Sequence, residues 1–310
     1  MKRSLFLCCL MGFFIAAYGQ QESHYTQYMF NRLVLNPAFT GVTGGTSLTA
    51  LYRAQWVGFE GAPRTYNVSG HTSLGDYRGG IGLFAIGDKI GPFSKTTVGL
   101  NYAYRFALCS GQNPLYLSFG IQGAVLNFLY DRDQVSSRVG SDPALQPPNN
   151  INTWKPDFGA GIFLHGTKGY VGISAAHIVP VKLTDNAKLV PQIWLLGGYD
   201  IDISDQVALT PSAQLRYAPE APVQLDASLT AMFANVFWAG INYRLQSAVG
   251  FLAGVQPLPS LRIGYAYDWS YSPKAFNFGA SHEIFLSYTF RNNATPIRRA
   301  NGGSIHPRYF

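Results

Sequence analysis

Hydrophobic and polar residues alternate along most of this 310-residue chain. From Leu48 to Trp56 the even positions are apolar or small, while polar side chains such as Thr49 and Arg53 lie between them. Residues 98–106, 223–230 and 261–269 repeat this alternation, with mostly apolar residues at every second position. Because successive side chains of a β-strand point to opposite faces, each run predicts a strand with one apolar and one polar face. The pattern predicts about fourteen strands of roughly ten residues each, between Thr46 and Phe290.

Strands of this number and length, with an aromatic-rich apolar face, are typical of a closed barrel in lipid. The predicted fold is therefore all-β, a transmembrane antiparallel β-barrel of about fourteen strands. Residues 227–243 and 245–261 contain no charge and could be mistaken for transmembrane helices. Both runs are shorter than a comfortable helical span, and the second contains Pro257 and Pro259. We therefore interpret each run as strands with tight turns.

The lengths of the connections predict how the barrel is oriented. The long connections are residues 131–153, 180–189 and 271–281, and all three follow odd-numbered strands. Connections after even-numbered strands are short, as at Ser204 and Asp205. Outer-membrane barrels have long outer loops and short periplasmic turns. This parity predicts that residues 131–153 lie outside the cell and that both the N- and C-termini are periplasmic.

Four regions are predicted along the chain. Residues 1–19 have the features of an export signal: Lys2 and Arg3, an apolar core too short for a membrane anchor, and small residues before Gln20. Residues 20–45 form an N-terminal segment that is periplasmic or associated with the lumen, where it could act as a plug. Residues 46–290 are the barrel, and residues 291–310 are a basic periplasmic tail. Removal of the signal leaves Cys109 as a single cysteine, which excludes an intramolecular disulfide and a cysteine-based zinc site.

The charge distribution argues against a nucleic-acid-binding protein. Charged residues make up 13% of the chain, about half the usual share, and the formal net charge is +7. Most of this excess lies in the export signal and the tail, which together contain six basic residues and no acid. The remaining chain is close to neutral, so the basic face that nucleic acid requires is missing.

Candidate catalytic chemistry is sparse. His71 and Ser73 are two residues apart on one predicted strand, and Asn67 lies on the same face, a spacing that could pair a base with a nucleophile. However, these residues share the polar face, which is expected to line the lumen and not to reach lipid. The six histidines show no metal-ligand spacing. We therefore predict a protein that is not an enzyme and uses no cofactor or metal, although a lipid-acting enzyme remains a third alternative.

Several motifs resemble those of the PorP/SprF family, and most of them lie in the first hundred residues. They are YTQYMFN at 25–31, NPAFTG at 36–41, YRAQWVG at 52–58, GAPRT at 61–65, DKIGP at 88–92 and HPRYF at 306–310. The resemblance implies an outer-membrane barrel of the type IX secretion system, which exports proteins and, in gliding bacteria, surface adhesins. It also implies partners: the periplasmic PorK/PorN ring and a PorE-like peptidoglycan-binding lipoprotein, or a single secreted adhesin. The expected function is thus a structural and docking barrel, and the alternative is an outer-membrane diffusion channel or solute transporter.

The tail at residues 291–310 contains four arginines, no acid and too few apolar residues for a core of its own. Its end places Arg308 beside Tyr309 and Phe310, which are residue types found at binding hot spots. We predict that Arg308, Tyr309 and Phe310 anchor a periplasmic partner, with Arg298 and Arg299 steering the tail to an acidic surface. The alternative is a solvated overhang without a partner.

Overall fold

Seventeen β-strands dominate the computed structural model, which describes residues 23–75, 77–111, 113–134, 150–184, 187–219, 221–272 and 278–290. The strands are β1 (Thr46–Ala54), β2 (Arg64–Leu74), β3 (Gly79–Ile90), β4 (Phe93–Cys109), β5 (Leu115–Tyr130), β6 (Ile151–His165), β7 (Gly169–Ala176), β8 (Val181–Lys182), β9 (Lys188–Leu189), β10 (Gln192–Tyr199), β11 (Ile201–Asp202), β12 (Val207–Tyr217), β13 (Gln224–Phe233), β14 (Phe237–Arg244), β15 (Ala248–Leu258), β16 (Leu261–Ser270) and β17 (Ser281–Phe290). The described helical elements are one α-helical turn at Arg32–Leu35 and 3₁₀ turns at Tyr28–Phe30, Pro37–Phe39 and Arg132–Gln134.

Fourteen of these strands close into an antiparallel barrel, which confirms the predicted fold class. Each barrel strand pairs with its neighbour along the chain, and β1 pairs with β17 from Thr46 opposite Phe290 onward. The pairing of β10 with β12 completes the ring. The two-residue strands β8 and β9 form a separate hairpin, and β11 adds a short extension beside β12.

Side chains alternate between the two faces of the barrel wall, as the period of two predicts. On β2, Tyr66 and Val68 are 54% and 60% exposed on the outer face, whereas Asn67 between them is 1% exposed. The two uncharged runs are also strands, as predicted: residues 227–243 span β13 and β14, and residues 245–261 contain β15 between two turns. Among the described residues, no helix has the length and apolar character needed to cross a bilayer.

The two ends of the barrel differ in the connections they carry. At one end, which we call the short-turn rim, β1 begins, β17 ends and the connections have at most seven residues. The opposite end, the long-loop rim, carries all the connections of nine residues or more between neighbouring barrel strands. The connection from β7 to β10 is not a simple loop, because it contains the β8–β9 hairpin.

Candidate functional site: the luminal segment

Residues 23–45, here called the luminal segment, run through the barrel interior from one rim to the other. At the long-loop rim, the Ser23 hydroxyl hydrogen-bonds to the Asp88 carboxylate, and Thr65 donates to Ser23 at 3.0 Å. At the short-turn rim, the Tyr77 hydroxyl donates to the carbonyl oxygen of Val42 at 2.6 Å. Every residue of the segment is buried or half-buried. The segment therefore fills the lumen along its length.

The path of the segment bears on the prediction that both termini are periplasmic, although the termini themselves lie outside the described residues. Thr46 and Phe290, the two ends of the barrel itself, do lie together at the short-turn rim. Ser23, the first described residue, lies at the opposite rim beside Thr65 and Asp88. The even strand number dictates where the barrel begins and ends, whereas the luminal segment adds one further crossing before β1.

The main hydrophobic core of the protein lies inside the lumen, between the luminal segment and the wall. Phe30 stacks on Phe285 with ring centroids 5.0 Å apart and contacts Trp238 at 4.7 Å. Phe39 packs edge-on against Phe163 at 5.5 Å. The buried residues of this core are Tyr25, Tyr28, Met29, Leu33, Leu35, Ala38, Phe39 and Val42 from the segment and Leu51, Phe163, Tyr170, Trp194, Leu196, Trp238, Leu252, Ala266 and Phe285 from the wall.

Glycines in the wall allow the backbone of the segment to touch the sheet. A β-carbon added to Gly120 would lie 2.2 Å from the backbone nitrogen of Ala38. A β-carbon on Gly80 would lie 2.3 Å from the carbonyl oxygen of Thr40. Neither position can accept a side chain without moving the segment, because real contacts of this kind are longer than 3 Å.

Asn36 fixes the middle of the segment to two adjacent strands. Its side-chain oxygen accepts a 2.9 Å hydrogen bond from the backbone N–H of Ala38, which shapes the turn that begins at Pro37. Its side-chain nitrogen donates to the carbonyl oxygens of Ile162 on β6, at 3.0 Å, and Ile173 on β7, at 3.2 Å. The side chain of Asn36 therefore links the segment to both β6 and β7.

A buried network of charges holds the segment near the long-loop rim. Arg53 lies 2.6 Å from Asp268 and 3.2 Å from Glu283, and Arg244 lies 2.7 Å from Asp226 and 3.6 Å from Asp268. These five side chains come from β1, β13, β14, β16 and β17 and are at most 6% exposed.

The luminal segment completes this network, which has two cations for three carboxylates. The backbone N–H groups of Thr26 and Gln27 donate to the Glu283 carboxylate at 3.0 and 2.8 Å. The Thr26 hydroxyl donates to the Asp268 carboxylate at 2.6 to 2.7 Å. A buried carboxylate needs such donors because an unpaired buried charge is strongly unfavourable.

Arg105 of β4 holds the other end of the segment. Its Nη2 donates to the carbonyl oxygen of Thr40 at 3.2 Å, and its Nη1 donates to the carbonyl oxygen of Tyr77 at 2.8 Å. The guanidinium also lies 4.0 Å from the centre of the Tyr77 ring, a cation–π contact. Burial raises the pKa of Tyr77, which lies in the turn after β2, to about 12. Its hydroxyl therefore keeps the proton that it donates to Val42.

His71 is the strongest candidate for a catalytic residue in the sequence, but in the structure it binds the luminal segment. Its Nδ1 accepts a 2.8 Å hydrogen bond from the backbone N–H of Gly41, and its ring contacts Phe39. Asn67 and His71 are buried on the lumen side, as predicted. Among the hydrogen bonds of the described residues, none joins His71 to Ser73. The described part of the chain also contains no group of three or more metal-binding side chains that could hold an ion.

The residues that contact the segment include several that the sequence analysis missed. Trp194, Trp238 and Phe285 point into the lumen, although the polar face was expected there. The signal that could have revealed the charge network is the placement of Asp268 and Glu283 on the polar faces of their strands. The proposed partner-binding residues lie outside the described part of the chain; they are Arg298, Arg299, Arg308, Tyr309 and Phe310.

A family model described as the type IX secretion system membrane protein PorP/SprF matches residues 17–288. The chain belongs to the PorP/SprF family. The match confirms the resemblance seen in the sequence motifs. This PorP/SprF protein is an outer-membrane β-barrel of the type IX secretion system.

Several solved barrels are similar to this PorP/SprF protein in fold. The Ralstonia pickettii toluene transporter TbuX is 12% identical, with a TM-score of 0.49 over 86% of this chain and 94% of that chain. The monoaromatic hydrocarbon channel CymD is 13% identical, with a TM-score of 0.48 over 89% and 95%. A Pseudomonas aeruginosa FadL homologue is 12% identical, with a TM-score of 0.48 over 88% and 95%. A comparison with curated proteins found no match.

Proposed function

We propose that this PorP/SprF protein is a non-enzymatic docking barrel of the type IX secretion system, with a lumen that stays filled. The observation that carries the proposal is the course of the luminal segment, which occupies the interior from one rim to the other. A diffusion channel or solute transporter, the alternative function, would need an open path through this interior.

The free energy needed to release the luminal segment supports a lumen that stays filled. Release of the segment would expose the aromatic wall around Trp238 and Phe285 to water. It would also remove the hydrogen-bond donors that Thr26 and Gln27 supply to Asp268 and Glu283. A buried acceptor left without its hydrogen bond costs about 1–3 kcal/mol, and each buried aromatic side chain contributes about 2–3 kcal/mol.

The β8–β9 hairpin further restricts the mouth at the long-loop rim. Val181 and Leu189 of the hairpin are buried against Leu126, an inward-facing residue of β5. Leu183 joins the same apolar cluster, with Phe128 packed beside it. The hairpin therefore folds inward over the lumen. This arrangement favours a barrel that works through its rims and outer surface.

With the lumen filled, the rims and the tail are the surfaces left for partners. The short-turn rim, where β17 ends, is periplasmic on the predicted orientation. There the tail would engage the PorK/PorN ring or a PorE-like peptidoglycan-binding lipoprotein through Arg308, Tyr309 and Phe310. The long-loop rim would face outward, where a secreted adhesin could be held.

Conductance measurements test the filled lumen. The purified protein is incorporated into planar lipid bilayers, with an open porin treated identically as the positive control. We expect no steady current steps of porin size. Stable open-channel currents from the intact protein would instead favour the channel alternative.

Affinity purification from the envelope tests docking. Deletion of residues 300–310 should leave a heat-modifiable barrel in the outer membrane, while recovery of the periplasmic partner and secretion both decrease. Normal secretion with full partner recovery would instead support the alternative, in which the tail is a solvated overhang without a partner.

A further inference from the structure

Lysine and arginine occupy the lipid-facing surface of the barrel strands at a single place. The strands are described throughout, and their outward positions contain Arg64 and Lys89 but no other Lys, Arg, Asp or Glu. Both side chains are exposed, Arg64 at the start of β2 and Lys89 near the end of β3. The other charged residues of these strands face inward: Arg53, Asp88, Lys95, Arg105, Lys155, Asp157, Arg216, Asp226, Arg244, Arg262, Asp268 and Glu283.

These two cations are also direct cross-strand neighbours. The register of β2 and β3 places Arg64 opposite Lys89. Like charges in such a pair repel each other, so the pairing costs stability unless an anion lies between them. The adjacent carboxylate of Asp88 points inward, where it accepts a hydrogen bond from Thr65 and forms an ion pair with Lys95. Within the described part of the chain, neither Arg64 nor Lys89 has an ion pair.

The height of the pair on the wall matches the lipid headgroups. Tyr66 and Tyr52 lie one outward position closer to the membrane centre, with ring centroids 4.9 Å apart. Tyrosines of this kind mark the interface of membrane barrels. From Arg64 to Leu74 the strand rises about 33 Å. At a tilt of about 40° this corresponds to roughly 25 Å along the membrane normal, the height of the apolar band.

We propose that Arg64 and Lys89 form a binding site for the phosphate groups of an anionic glycolipid in the outer leaflet. Arginine binds phosphate through two parallel N–H donors, and lysine adds a mobile point charge beside it. Ala54, a small residue, lies opposite Arg64 on β1. The occupant is a lipid because the side chains project from the outer wall into the bilayer, and the loop lengths assign their rim to the outer leaflet.

Lipid binding by the purified protein tests the site. The intact barrel in detergent is titrated with lipid A, and bound lipid is counted by native mass spectrometry. We expect Arg64→Gln/Lys89→Gln to bind lipid A at least about tenfold more weakly, because two charge-assisted contacts are lost. The matched control is Arg78→Gln/Lys168→Gln, which removes the same charge from exposed positions at the short-turn rim and should bind as the wild type does.

Further arms separate the phosphate lipid from other ligands. Dephosphorylated lipid A, which keeps the acyl chains, should bind the wild type about as weakly as lipid A binds the glutamine variant. The exchanged pair Arg64→Lys/Lys89→Arg keeps both charges and should retain binding, and heat modifiability verifies that each variant is folded. Unchanged lipid A binding by the glutamine variant would overturn the proposal. If the wild type bound inorganic phosphate as tightly as lipid A, the pair would be a site for a free anion, and the proposal would also be overturned.

Discussion

Glu283 of the last strand accepts a 2.8 Å hydrogen bond from the backbone N–H of Gln27, 256 residues earlier in the chain. The same carboxylate accepts from Thr26 and forms an ion pair with Arg53 of the first strand. One side chain therefore joins the luminal segment, β1 and β17. Because β1 and β17 form a closing seam of the barrel, seating of the segment and closure of the wall are coupled.

Glu283→Gln should weaken the barrel strongly. The substitution removes a buried charge from Arg53 and places an amide NH₂ among donors that need acceptors. Loss of one partner of a buried pair costs about 3–5 kcal/mol. The denaturant midpoint at which the heat-modifiable form disappears measures this loss. Glu60→Gln, an exposed loop position, is the control, and an equal small shift in both variants would contradict the role assigned to Glu283.

Gly120→Ala should displace the luminal segment from the wall. Its methyl group would overlap the backbone nitrogen of Ala38, whereas the methyl group of Gly123→Ala on the same strand would meet no atom within 4 Å. Overpacking of this kind costs about 1–3 kcal/mol. Trypsin cleavage after Arg32, which lies within the segment, reports release. We expect cleavage in Gly120→Ala only, and protection of Arg32 in both variants would argue against the close approach.

A disulfide between Ser23→Cys and Thr65→Cys should lock the segment in the lumen, because these hydroxyl oxygens are 3.0 Å apart. The pair is introduced with Cys109→Ser to avoid exchange. A docking barrel that keeps its lumen filled should still support secretion when locked.

The control lock joins Ser47→Cys to Thr289→Cys across β1 and β17, where the hydroxyl oxygens are 2.9 Å apart. It restrains the wall without attaching the segment. The opposite result has three parts: secretion stops in the Ser23–Thr65 lock, returns when the disulfide is reduced, and persists in the control lock. That result would show that the segment must leave the lumen.

His71→Ala should lower stability without abolishing secretion. The change leaves the backbone N–H of Gly41 without its acceptor, at a cost of about 1–3 kcal/mol. Ser73→Ala, two residues along the same strand, should change stability little. Denaturant midpoints and export of a secreted cargo are measured for both. If a fully assembled His71→Ala barrel lost export, the result would indicate a catalytic role for the imidazole.

A tag inserted near Ser141 should be labelled on intact cells, whereas a tag after Phe310 should not. Ser141 lies outside the described residues, but β5 and β6 on either side of it end and begin at the long-loop rim. The reverse labelling pattern would show that the barrel has the opposite orientation. Arg64 and Lys89 would then lie in the inner leaflet.

The amino-acid sequence alone determined the strands and their faces. Tyr66 and Val68 alternate with Asn67 because side-chain direction in a strand is a local property with a period of two. The same local pattern predicted the barrel class and which connections are long. It also separated β13 from β14 within a run that has the composition of a helix.

Tertiary structure decided how the lumen is filled. Residues 23–45 have no strand pattern, and their aromatic and amide side chains suit a rim as well as an interior. Trp194 lies in the apolar run from Ile193 to Leu196, where both faces of the strand look alike, so its inward direction depends on pairing with β7 and β12. The physical reason is that burial inside a barrel depends on which strands become neighbours.

The charged sites follow the same rule. Arg53, Asp268 and Glu283 are unremarkable polar-face residues until closure of the barrel brings β1, β16 and β17 together. Arg64 and Lys89 become a pair only through the register of β2 and β3. Alternation along one strand is encoded by adjacent residues, whereas register and closure depend on contacts between strands and with the luminal segment that are distant in sequence.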